Sequence, residues 1–118
     1  MFNKDNIKEV LPQISLQIQD KISQLKKLRY ALIKLYKQLD GKWLELYEYY
    51  KTDYPMQLKD KEIKEFVERN PEYLDLKEKV QTLETEIDVL EKEIKNLDAT
   101  RWDIKNFIDW TKLEMGVV

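Results

Sequence analysis

Lys27, Tyr30, Lys34 and Lys37 pose the first chemical question in this chain. Their steps of three, four and three place them on one face of an α-helix. Lys26 and Lys42 fall close beside that line. Ammonium groups meet phosphates, and an aromatic ring between them offers a stacking face to an unpaired base. The stripe is thus a candidate contact for single-stranded nucleic acid. Lysines on an outer helix face are also ordinary solvated residues, so the spacing by itself leaves that plainer reading open.

Other chemistries are largely excluded by composition. The 118 residues include no cysteine and no histidine. That removes disulfides, thiolate nucleophiles, zinc sites built on sulfur or imidazole, and the usual general base near neutral pH. Ser15 and Ser23 lie in no nucleophile-elbow pattern, and Gly41 and Gly116 cannot make a phosphate-cradling loop. Glu84, Asp88 and Glu91 share a helix face and would suit an oxygen-ligated magnesium ion. They are better explained as the charged flank of a helical seam. The expectation is a protein that is not an enzyme and carries no metal or other cofactor.

The elements that must position the stripe are helices. Charged residues make up 37 % and apolar residues 42 %, with two glycines and three prolines. Such a composition belongs to long helices and coiled coils. Residues 1–19 are weakly determined, because 13–19 alternate like a strand while Ile14, Ile18 and Ile22 are spaced like a helix. A basic helix is expected over 20–50, on a stripe of Ile22, Leu25, Leu28, Leu32, Leu35, Leu39, Trp43 and Leu46. Gly41 either bends it or is absorbed. Pro55 closes that helix, and residues 51–70 form a connection holding a short helix over 58–68 with Leu58, Ile63, Phe66 and Val67 inward.

A long acidic helix is expected over 71–115. Asn70 suits its N-cap, Pro71 its first position, and Gly116 its end. Leu76, Val80, Leu83, Ile87, Leu90, Ile94, Leu97, Arg101, Ile104, Ile108 and Thr111 follow in alternating steps of four and three. That is a heptad seam.

Charge selects the partner of that seam. The net charge is only -2, with 21 basic and 23 acidic side chains. Yet residues 21–42 hold seven bases against Asp40, whereas 60–98 hold thirteen acids against seven bases. Glu84, Glu91 and Asp98, with Glu86 and Glu93, flank the acidic seam and disfavour a parallel self-pair. The fold class is therefore all-α, a long antiparallel helical hairpin with coiled-coil character in a single helical domain, 1–118. No run of apolar residues is long enough for a membrane span, and the N-terminus leads into no secretory signal. A cytoplasmic protein is expected.

Residues 101–115 change character, being apolar on several faces. Arg101, Trp102, Ile104, Lys105, Phe107, Ile108 and Trp110 are read as an oligomerisation segment, with an intramolecular cap packed by the N-terminus as the alternative. In the first case, a charge at Ile104 or Ile108 dissociates the assembly while helicity persists.

Specific residues then come into play. Trp102-Asp103-Ile104-Lys105-Asn106, followed by Ile108-Asp109-Trp110, Lys112 and Gly116, resembles the terminal block of the UvsY family. Tyr49-Tyr50 resembles the Tyr-Tyr that ends a basic helix there, and Leu58, Lys61 and Glu62 are similar in layout. These proteins are recombination mediators of T-even-type bacteriophages. The resemblance implies binding to single-stranded DNA, contact with the phage recombinase and the phage single-strand-binding protein, and help in loading the former in place of the latter. It also implies a homo-oligomeric ring of six or seven subunits assembled through the C-terminal helix, acting in DNA recombination and repair in the cytoplasm of an infected bacterium. Thr100 stands where the family usually has arginine, and Leu44 and Leu46 stand where it has basic residues. The lysine stripe is then the place to look for DNA contact. The rival reading is a structural or adaptor coiled coil that binds no nucleic acid.

Overall fold

The computed structural model describes residues 7–116, with side chains from residue 9 onward. Among these residues are three α-helices: α1 (Ile7–Glu48), α2 (Asp60–Arg69) and α3 (Pro71–Glu114). No strand occurs among the described residues. The chain forms two compact units. One joins 1–27 with 88–118; the other is the continuous stretch 28–87.

The unit formed by the two chain ends settles the open segment 13–19 as helix. The expected start of α1 near residue 20 is corrected to Ile7, and Pro12 is accommodated inside the helix. Ile14 and Ile18 are buried against Ile104, whereas Leu16 between them is 60 % exposed. A strand would have placed all three on one face. Val10, Leu11, Ile94, Leu97, Phe107 and Ile108 close around this cluster. The α1 seam also departs from expectation at Ile22, which is 38 % exposed. Steps of four and three from Ile14 pass through Ile18, Lys21 and Leu25 instead. Lys21 lies half-buried and donates to Glu93 at 2.6 Å.

In the second unit α1 continues through Gly41, around which a Cβ would meet nothing within 4 Å. The helix ends in a single π turn over Tyr49–Asp53, where the Tyr54 N–H reaches the Tyr49 carbonyl at 3.0 Å. Thr52 donates its hydroxyl to the Glu48 carbonyl at 2.7 Å. Tyr54, preceding Pro55, is extended, as proline demands of its neighbour. The short helix is confirmed as α2, starting two residues later than expected. Ile63 and Val67 are buried with Leu46, and Trp43, Tyr47, Tyr50, Leu58 and Tyr73 pack around them. Phe66, expected inward, is 37 % exposed and lies against Tyr50 and Tyr54.

Asn70 caps α3 as expected: its side-chain oxygen accepts from the Glu72 N–H at 2.9 Å. Its amide nitrogen donates to the Tyr50 hydroxyl at 3.0 Å, tying the cap to the end of α1. Val80, Ile87, Leu90 and Ile104 on the α3 seam are buried, and the remaining seam positions are half-buried. Gly116 ends the run with φ of 71°, the left-handed conformation that glycine adopts without strain.

Candidate nucleic-acid interface

Tyr30, Lys34 and Lys37 lie in the second unit on an exposed face of α1. The Tyr30 ring is 62 % exposed, and the Lys34 ammonium lies 4.6 Å from its centre. This is a cation over an aromatic face, both open to solvent. The geometry follows from the helix, since residues four apart are neighbours on its surface. Lys26 and Lys27 stand on the part of α1 that belongs to the first unit, and both are exposed.

Lys42 is placed differently. It sits at a seam position, and its ammonium contacts Glu72 at 3.0 Å and Glu45 at 3.3 Å. The hydrogen bond to Glu72, then that to Glu45, holds the amine above its ordinary range. Its charge is thus engaged by carboxylates of its own chain.

Two apolar residues that the lysine pattern overlooked share the exposed surface of α1. Ile33 is 52 % and Leu44 59 % exposed. Their signal was available as apolar residues off the 28–32–35–39 seam. Tyr36, 41 % exposed, has its hydroxyl pushed above its ordinary range by desolvation first and by Glu84 second. Glu84 is therefore engaged with α1. Among the described residues, no three carboxylates gather to hold a metal ion, so Glu84, Asp88 and Glu91 do not make the candidate magnesium cluster.

The residues 101–115 divide into four sets within the first unit. Ile104 is fully buried by its own chain, and Phe107 and Ile108 pack beside it. This is the intramolecular cap considered as the alternative. Trp102 is 52 % exposed, with the Lys105 ammonium 5.0 Å from its ring centre. Arg101, at a seam position, pairs with Asp98 at 2.5 Å. Trp110 and Leu113 point outward, 58 % and 66 % exposed.

Among the described residues, no helix is long and apolar enough to cross a membrane. No curated protein and no solved structure matches the chain. A family model described as "Recombination, repair and ssDNA binding protein UvsY" does match, over residues 5–117. Matched along nearly its whole length, the chain belongs to the UvsY family of recombination, repair and single-stranded-DNA-binding proteins.

Proposed function

We propose that this chain is a recombination mediator that binds single-stranded DNA and helps load a phage recombinase in place of the single-strand-binding protein. The DNA-contacting surface is the exposed α1 face of Lys27, Tyr30, Lys34 and Lys37, with Lys26 beside it. The observation that carries this assignment is the Lys34 ammonium over the open Tyr30 ring at 4.6 Å. A base stacking there brings its phosphates within reach of neighbouring lysines, whatever its identity, so sequence preference is weak. Lys42 is a secondary contact, because a phosphate must compete with Glu72 and Glu45 for it.

The working form is a homo-oligomer of six or seven subunits in the cytoplasm of an infected bacterium. Trp110 and Leu113, the large apolar side chains that intramolecular packing leaves open on the last turns of α3, are its proposed contact. One subunit, with a net charge of -2, holds DNA weakly. Repeating the stripe around an assembly turns weak contacts into avidity.

The test is fluorescence anisotropy of a labelled oligonucleotide at several salt concentrations. Each lysine–phosphate contact contributes a slope of about 0.7 in log K against log salt for single strands. Replacing Lys27, Lys34 and Lys37 by Ala lowers affinity and flattens the slope. Tyr30→Ala weakens binding without changing the slope, since stacking releases no counterions. An unchanged slope in the triple variant would assign the phosphate contacts to another face.

A further inference from the structure

The first unit contains an open groove of ≈ 470 Å³, lined by Leu11, Pro12, Ser15, Arg101, Trp102 and Lys105. That volume falls within the roughly 300–1,000 Å³ of clefts that take small ligands. Leu11 and Pro12, early in α1, form an apolar wall. Trp102 contributes a half-exposed indole that the core does not use: the buried cluster beside it is made by Ile14, Ile18 and Ile104. Arg101 and Lys105 supply two cations, and Ser15 a hydroxyl. No carboxylate is among the six lining residues. Asp98 pairs with Arg101 from outside that lining.

An aromatic plane beside cations, in a slot without lining acids, matches a nucleotide of a single strand: one π-face and one phosphate negative charge. We propose that the Leu11–Trp102 groove is a second binding site for single-stranded DNA, taking one unpaired base against the Trp102 indole with its phosphate held by Lys105 and Arg101. The proposal rests on the single-strand-binding reading above and adds to it a separate surface. Lys105 now lies over the indole 5.0 Å from its centre. On an exposed side chain, it can swing from the ring to the phosphate when a base takes the ring. Arg101 keeps its guanidinium fixed through Asp98, so its remaining N–H groups are presented in one orientation. The pattern of Lys34 over Tyr30 is thereby repeated with a larger ring, and indole is the stronger cation–π partner.

The experiment uses the full chain with its three tryptophans kept, and assigns the Trp102 share of the emission by difference from the Trp102→Phe variant. It is titrated with an oligothymidylate carrying a terminal dye, reading anisotropy and indole emission together. The expected result is saturable quenching of Trp102 that tracks the anisotropy. In the otherwise unchanged chain, Trp102→Ala should lower affinity about fivefold or more, the scale of one lost base stack, with an unchanged circular dichroism spectrum. Trp102→Phe should recover part of it, and Lys105→Ala should reduce the salt slope. DNA binding with Trp102 emission and affinity both unaffected would overturn the groove while leaving the Tyr30 stripe standing. Absence of any binding by the unmodified chain would overturn both. A Trp102→Ala protein that loses assembly mass but binds DNA as before would assign the groove to a second copy of this chain instead.

Discussion

Lys21 stands in the apolar seam of α1, and its ammonium nitrogen lies 2.6 Å from a carboxylate oxygen of Glu93 on α3. Lys42 and Glu72 repeat the arrangement at 3.0 Å. The two lysines are three heptads apart, and so are the two glutamates. Each pair ties α1 to α3 within its own unit, Lys21–Glu93 in the first and Lys42–Glu72 in the second. A polar residue at a seam position fixes register at some expense of stability. An exposed ion pair contributes about 0–1 kcal/mol, whereas a fully buried leucine contributes about 1.5–3 kcal/mol.

Lys21→Leu should therefore raise the thermal midpoint, and Lys21→Leu with Lys42→Leu should raise it further. The same double variant should show mixed masses in light scattering, because the two polar positions in the α1 seam that oppose slipped or intermolecular pairing are then gone. A lower midpoint in Lys21→Leu would show that the ion pair outweighs apolar burial at this position.

Ile104 is fully buried against Ile14 and Ile18. Ile104→Ala should cost about 2–5 kcal/mol, measured by urea denaturation. Ile104→Glu should cost more and lower helicity, because a charge is forced into the cluster that holds the two chain ends together. Clean dissociation with full helicity, the sequence-based expectation, would mean that the isoleucine packs between chains and not within one.

A pH effect is expected at the turn between α1 and α2. The Tyr47 hydroxyl donates to Asp60, and this bond holds the Asp60 carboxyl below its ordinary value of 3.8, with Lys64 the next cause. A depressed folded-state value contributes stability above pH 3.8 that is lost as pH falls through the lower value. The same bond raises the Tyr47 phenol. Tyr47→Phe should move the Asp60 titration, followed by carboxyl carbon shifts in NMR, back toward 3.8. No movement would mean that the cations Lys64 and Lys51 set it.

Local patterning was enough to specify the helices from about residue 20 onward and the α3 seam. A four-three apolar repeat has one solution in secondary structure, and the caps at Asn70 and Gly116 are local effects of backbone hydrogen bonding. The lysine–tyrosine stripe was legible for the same reason, since neighbours four apart on a helix meet whatever surrounds them. Residues 13–19 needed contacts from far along the chain. Alternating and helical apolar patterns overlap there, and burial of Ile14 and Ile18 on Ile104 breaks the tie. Packing also selected which side chains face the partner helix. Ile22 yields its seam place to Lys21 because register depends on all steps along α1, and a stripe counted from Ile22 starts one residue out of phase. The division of the 101–115 segment was beyond local reasoning too. Whether an isoleucine or tryptophan is covered there depends on the segment around Ile14 and Ile18, at the opposite end of the chain, and no periodicity within the helix encodes that contact.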